Sequence, residues 1–342
     1  MTSAPPRLSI CIATLNRAEL LGEMLDSIAA QWTDDLELVI VDGASTDATP
    51  DVAAEYRDRL GRVTYVRLTE KGGVDRDYHK GLIAAAGTYC WLLSDDDVLA
   101  PGAVAAVLSA LAAAPSLVIV NTSLHTADLG DVLEHNRLGF DSDRLYTPAD
   151  HERLFIETVN HLSYIGAVVI DRNLWLARDA ERYFGSWFVH VGVIFQAPLP
   201  ANTIVLAEPY VRVRAANASW SSRYFEIWMV KWPDLIWSFA ALPAQAKRAV
   251  FAREPWRRPG ALLICRAKAA YDLQAYRRWV APRMAPGPRL WLAAAIAALP
   301  GPLVNALAMA YFRIARPGAR ADMLDFRLSP YHWSSVFGRR SP

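Results

Sequence analysis

Apolar residues arrive in short runs through the first 120 positions, and the segments between them repeat at helical spacing. Leu8–Ala13, Leu36–Val41, Val63–Leu68, Tyr89–Leu93 and Leu117–Val120 are continuous enough to read as strands buried on both faces. Ala18–Gln31, Thr49–Leu60, Asp75–Ala86 and Pro101–Ala113 read as the intervening helices. Gly87 suits a helix C-terminal cap, and Pro101 suits a first helical turn. This alternation predicts an α/β fold, a mostly parallel sheet flanked by helices.

Further along, Thr147-Pro-Ala-Asp150 has the spacing of a capping box, and Gly166–Ile170 is another apolar strand. From about Tyr224 the pattern is helical and rich in Trp and Arg to the end. The expected division is therefore an α/β domain over 1–225 and a helical, basic appendage over 226–342.

Charge sharpens that division. The formal net charge of +1 combines 18 Lys and Arg against 30 Asp and Glu in residues 1–227 with 18 against 5 in residues 228–342. Leu290–Phe312 carries no charge, is split by Pro300-Gly-Pro302, and is flanked by Arg283 and Arg289 before it and Arg313, Arg316 and Arg320 after it. Each arm is too short to cross a bilayer alone. Basic flanks favour in-plane insertion at an anionic surface, the alternative being a helical hairpin packed on the protein.

Hydrophobic residues at 53% and charged residues at 21% describe a globular chain. Cys11, Cys90 and Cys265 are far apart, which points to buried thiols rather than a disulfide framework or a zinc site, and to a reducing compartment. Met1–Arg17 lacks the pattern of a secretory signal, so the Asn-X-Ser/Thr triplets at Asn121 and Asn217 are read as chance matches. Nucleic-acid binding is disfavoured because the C-terminal arginines are interleaved with long apolar runs.

Ligands of parallel sheets bind beyond the carboxyl ends of the strands. Three polar loops fall there: Thr14-Leu-Asn-Arg17, Asp42-Gly-Ala-Ser-Thr-Asp47 and Ser94-Asp-Asp-Asp97. Adjacent carboxylates repel one another unless a cation or hydrogen-bond donors neutralise them. Mg²⁺ is typically held by one or two carboxylates plus substrate phosphates. Taken alone, Asp95-Asp96-Asp97 is more often a solvated acidic turn or a helix cap before Pro101, and its place at the end of a strand beside two other polar loops is what favours the cation. Asp42 is placed to accept from a nucleobase or ribose, and Thr14, Asn16 and Arg17 could frame the same pocket or simply cap a helix.

The segments Leu8–Arg17, Val41–Thr49 and Trp91–Gly102 resemble the ordered blocks of the family-two inverting glycosyltransferases, which have a GT-A type fold. Gly72-Gly-Val-Asp-Arg-Asp-Tyr78 and the Ser-Asp-Asp-Asp form of the third block are most similar to the abequosyltransferase-type enzymes of O-antigen assembly. The resemblance implies that Thr14, Asn16 and Asp42 contact the nucleotide, with Arg76 beside it or its phosphates. It also implies Mg²⁺ or Mn²⁺ on Asp96, with Asp97 and Asp95 in support. Ser94 stands where the commoner Asp-X-Asp-Asp pattern has its first acid.

These relatives usually carry a catalytic base in a Glu-Asp pair about 90 residues after the metal block. No such pair occurs here, and His190 falls close to the expected position, with Asp179 and Glu181 as rivals. Histidine is a serviceable base near neutral pH. His161 is a candidate for acceptor contact. Val211–Trp220 is similar to a loop that closes over diphosphate and sugar, which makes Arg212, Arg214, Asn217 and Trp220 candidates; a surface strand with alternating arginines is the other reading. The expected partners are a nucleoside diphosphate sugar donor and a lipid-linked glycan acceptor, met at the cytoplasmic face of the inner membrane. A sugar nucleotidyltransferase would be expected to show a glycine-rich loop after the first strand, and Thr14–Arg17 has no glycine. A non-catalytic glycan- or nucleotide-binding module is the remaining rival.

Overall fold

The computed structural model describes residues 5–215, 223–316 and 318–337. The chain divides into two compact units, one running to Arg214 and including Phe239–Ala246, the other made of Ala215–Ser238 and Lys247 onward. Phe239 belongs to the first unit because its ring packs with Phe155, Phe195 and Tyr183, at centroid separations of 6.1, 6.0 and 6.4 Å.

The first unit opens with the expected alternation: β1 (Leu8–Thr14), α1 (Ala18–Ala29), β2 (Leu36–Asp42), α2 (Thr49–Leu60), β3 (Val63–Arg67), α3 (Val74–Ala84) and β4 (Tyr89–Ser94). Every residue of β2 is buried, as a central parallel strand requires. α1 buries Leu21, Met24, Leu25 and Ile28, one face of a helix read at three- and four-residue steps. β5 (Val98–Leu99), α4 (Ala103–Leu111), β6 (Leu117–His125), β7 (Val132–Glu134) and β8 (Arg144–Tyr146) follow. The unit continues through α5 (His151–Thr158), β9 (Val168–Asp171), α6 (Arg172–Leu176), α7 (Val189–Phe195) and β10 (Thr203–Arg214).

The strands form one sheet in the order β3-β2-β1-β4-β9-β6-β10-β5, with β7 beside β6 and β8 beside β10. β1 pairs in parallel with β2 and β4, and β6 with β10, whereas β9 runs antiparallel to both β4 and β6. The sheet is mixed: β9 is wedged between the parallel β1–β4 and β6–β10 pairings, and β5, β7 and β8 add antiparallel partners. Buried Trp91 locks this junction by donating its indole N–H to the Gly166 carbonyl at 2.9 Å.

Gly87 does not cap α3, which ends at Ala84 with Ala85 already extended. Its amide donates instead to Ser9 Oγ at 2.9 Å and Glu37 Oε1 at 3.0 Å. A Cβ at this position would lie 2.9 Å from the Ser9 backbone nitrogen, so close approach of two backbones is what requires glycine.

In the second unit, the helices Pro288–Ala298 and Gly301–Ala315 form a hairpin bent by 98°. Both arms pack against the helix Pro259–Ala267. Ala293, Ile296 and Ala297 share a core with Trp256, Leu262 and Tyr271, while Val304 and Phe312 pack with Phe326.

Candidate functional site

β1, β2 and β4 end in register, Thr14 opposite Asp42 and Ala13 opposite Ser94, so the three polar loops emerge side by side. Asn16 sits in the left-handed region at φ 53°, a conformation asparagine tolerates better than most residues. Its amide donates to Ser45 Oγ at 2.8 Å, and its Oδ1 accepts the Thr46 amide at 2.7 Å. Asn16 thereby fastens the first loop to the second.

Asp42 is fully buried beneath that seam. Oδ1 accepts the Ser45 amide at 2.8 Å and Oδ2 accepts the Tyr65 hydroxyl. Burial, with the neighbouring Asp42 carboxylate, pushes the Tyr65 phenol above its ordinary value. Arg67 lies 3.9 Å from the same carboxylate and donates to the Ser45 carbonyl at 2.7 Å. Asp42 thus shapes the loop after β2.

The acidic loop is sorted by direction. Asp96 accepts from the Ser94 hydroxyl on one oxygen and pairs with Arg17 on the other. Arg17 also lies 3.4 Å from Asp95. Burial, then the Asp96 charge, pushes the Asp95 carboxyl up to about 6. Asp97 faces inward, accepting the Tyr164 hydroxyl at 2.6 Å and the Arg214 amide at 2.8 Å, and burial raises it to about 7.

Arg214 braces this loop from beneath. Its guanidinium donates to the Asp96 carbonyl at 2.6 Å, to the Ala127 carbonyl at 2.8 Å and to Glu23 on α1. Expected at the phosphates or sugar, the buried Arg214 side chain is instead committed to protein acceptors. Arg212, two residues earlier on β10, is exposed and opposite Val98. Asn217 and Trp220 lie outside the described residues.

Among the described residues, no three His, Cys, Asp or Glu side chains converge on a point suited to a cation. Both oxygens of Asp97 are engaged within the protein, which turns this expected ligand away from the open side. Asp95 and Asp96 remain, and a pair of carboxylates fits a cation that completes its shell with phosphate and water oxygens.

α3 links this edge to the segment before α7. Tyr78 donates its hydroxyl to the Leu93 carbonyl at 2.8 Å, directly before the acidic loop. One turn earlier, Asp75 accepts the amides of Gly185, Trp187 and Val189 at 2.8, 2.9 and 3.0 Å. Arg76 is exposed between them, with its guanidinium 5.6 Å from the Phe184 ring. Asp75, Tyr78, Tyr164 and Glu23 were not singled out from sequence. The Gly72–Tyr78 motif contained two of them, but nothing local announced that their partners lie far along the chain.

His190, on α7, is 1% exposed, and its Nε2–H donates to the Leu162 carbonyl at 2.8 Å. That bond fixes the tautomer and leaves Nδ1 as the lone-pair nitrogen, with no hydrogen-bond partner among the described residues. Burial lowers the imidazole to about 4. His161 donates likewise to the Val120 carbonyl at 2.9 Å and is lowered to about 4 by burial. Asp179 and Glu181 are exposed.

Known proteins resemble this chain in sequence and in fold. The sequence profile of glycosyl transferase family 2 matches residues 9–170. Abequosyltransferase RfbV of Salmonella typhimurium is 27% identical over 229 residues, covering 63% of this chain and 69% of that protein. The crystal structure of S. aureus TarS 1-349 superposes with a TM-score of 0.59 at 16% identity, covering 97% of this chain and 92% of TarS 1-349. The mannosyltransferase PcManGT from Pyrobaculum calidifontis, solved with GDP-Man and Mn²⁺, gives 0.51 at 19% identity, covering 99% and 90%. The matched profile runs from β1 through β9, so residues 9–170 form a glycosyl transferase family 2 region on a GT-A fold, the region of a nucleotide-sugar-dependent glycosyltransferase.

Proposed function

We propose that this protein transfers a single sugar, with inversion, from a nucleoside diphosphate to a hydroxyl of a lipid-linked bacterial surface glycan. The reading places it peripherally at the cytoplasmic face of the inner membrane. The observation that carries the transfer chemistry is the junction of Arg17, Asp95 and Asp96 beside the Asn16–Thr46 seam, at the ends of β1, β2 and β4. The abequosyltransferase relative supports sugar transfer, and the resemblance to the enzymes of O-antigen assembly supports a surface-glycan acceptor.

Asp96 and Asp95 would hold Mg²⁺ or Mn²⁺ together with the donor diphosphate; PcManGT was solved with that pairing of Mn²⁺ and a nucleotide sugar. Such a cation supplies charge stabilisation to the departing diphosphate. Arg17, already at these carboxylates, would turn part of its guanidinium to the phosphates, a geometry arginine suits. Thr14, Asn16 and Asp42 would border the nucleoside, and Arg76 on α3 would approach the diphosphate from the opposite side.

In this reading His190 takes the proton of the attacking hydroxyl through Nδ1, the nitrogen left as an acceptor by its bond to Leu162. His161 and Arg212 would border the acceptor. The burial of His190 supports a second reading, in which the ring is a post of the fold and another group takes the proton. His190→Gln separates them, because the glutamine amide extends to the Nε2 position and can donate to Leu162 but cannot act as a base. Transfer slowed by about 10²-fold or more with donor binding intact supports the first reading; a near-normal rate supports the second. The reaction itself is tested by nucleoside diphosphate release across a panel of nucleotide sugars with Mn²⁺ and a lipid-glycan acceptor. No release with any donor would leave a binding module.

A further inference from the structure

The bent hairpin of the second unit is apolar on its outer side as well as its inner one. Trp291 is 75% exposed, Leu307 62% and Ile314 84%, with Leu292, Leu299, Leu303 and Tyr311 also open to solvent. On Gly301–Ala315 these positions fall at 303, 307, 311 and 314, a single stripe along one face of the helix. Because both arms lay their buried faces on Pro259–Ala267, both outer stripes turn away from that helix. Scattered exposed leucines are ordinary, but a contiguous row of large apolar side chains is not.

Charge selects the occupant. Arg289, Arg313, Arg316 and Arg320 are exposed around the hairpin, and no acid lies between Leu290 and Phe312. The nearest acids along the chain, Asp322 and Asp325, are both paired with Lys268, at 2.9 and 2.7 Å. An anionic lipid headgroup layer over an apolar interior matches both the basic rim and the apolar row. Arms of 11 and 15 residues are about 16 and 22 Å long at 1.5 Å per residue, short of the ~30 Å apolar thickness of a bilayer. Among the described residues, no single helix is long and apolar enough to cross a membrane.

We infer that the Pro288–Ala315 hairpin lies in the plane of an anionic membrane surface, with Trp291, Leu303, Leu307, Tyr311 and Ile314 immersed and the arginines among the headgroups. Trp and Tyr suit the interfacial level. The inference deepens the proposed membrane contact and does not depend on the sugar-transfer chemistry.

The test uses the full chain without any sugar donor. Binding is measured by co-sedimentation with vesicles of phosphatidylglycerol and phosphatidylcholine in equal parts, and with phosphatidylcholine alone. The expected result is binding to the anionic vesicles that weakens with salt, and a loss of about tenfold or more in partitioning for the triple substitution Leu303→Ser, Leu307→Ser, Ile314→Ser. These side chains are exposed, so thermal unfolding of the variant should match the parent. As a second readout, bromine-labelled lipid should quench tryptophan fluorescence in the parent and less in Trp291→Phe. Equal binding to both vesicle types, or an unaltered triple variant, would overturn the inference. So would self-association that the same substitutions abolish in a chain that ignores vesicles.

Discussion

The carboxylate of Asp75 accepts the backbone amide of Trp187 at 2.9 Å and helps hold that residue at φ 75°, a conformation bulky side chains rarely adopt. Together with the amides of Gly185 and Val189, the same carboxylate shapes the segment leading into α7 and His190. Through Tyr78, one turn on, α3 also grips the strand that ends in the acidic loop. One helix therefore sets the spacing between the donor-side acids and the segment before α7.

Asp75→Asn keeps the shape of the side chain but replaces one acceptor oxygen with a donor facing backbone amides. Hydrogen bonds to charged groups contribute about 1.5–3 kcal/mol, so the variant should lose stability of that order. It should also transfer sugar more slowly while binding nucleotide with near-parental affinity. Calorimetry with a nucleoside diphosphate, alongside transfer rates, checks the split; equal losses in both would mean general unfolding.

Asp96→Ala should abolish metal-dependent donor binding, because Asp97 is turned inward and cannot replace it. Titration of a nucleoside diphosphate in Mn²⁺ measures this directly. Unchanged affinity would refute the assignment of Asp96.

Gly87→Ala should destabilise the first unit by about 1–3 kcal/mol, the usual cost of overpacking, since the new methyl meets Ser9 backbone as well as side chain. A helix-cap glycine outside this crowding would behave more mildly, so the shift in the urea midpoint distinguishes the two roles.

The stabilisation held by the two buried histidines should fall as pH drops from about 6.5 to 4, while the Asp95 and Asp97 carboxyls, raised by burial to about 6 and about 7, act with the opposite sign over much of the same window. His161 and His190 are lowered to about 4 by burial, whereas an unfolded histidine protonates near about 6.5. In that window the unfolded histidines bind more protons than the folded ones, so their stabilisation is complete above about 6.5 and decreases by ~1.4 kcal/mol per pH unit for each ring. Urea midpoints across the window check the trend. Against His190→Gln, whose longer amide can keep the bond to Leu162, the difference in stability isolates the His190 share and should drift by ~1.4 kcal/mol per pH unit.

The early strands and helices were legible because each is specified by neighbours: apolar runs for buried strands, three- and four-residue periodicity for α1 and α3. The candidate donor residues were also legible, since Thr14, Asp42 and Ser94–Asp97 close strands that alternation marks as parallel. Three features were not. β9 pairs antiparallel between two parallel halves, and nothing within Val168–Asp171 encodes strand direction. Gly87 reads as a cap on local grounds, yet its reason is a contact 78 residues away. Arg214 reads as a phosphate or sugar contact, or as a surface arginine, until β10 carries it beneath the acidic loop to Glu23.

By itself, the sequence determined the alternating α/β pattern, the three acid-bearing and polar loops at one edge, and a basic, apolar hairpin late in the chain. These are properties of local spacing and composition, which a chain carries before it folds. Tertiary structure alone decided which acids stay open and which turn inward, that Arg214 and Asp75 act as braces, and which side of the hairpin remains exposed. Those outcomes depend on which distant backbone groups compete for each side chain, and that competition exists only once the sheet has brought them together.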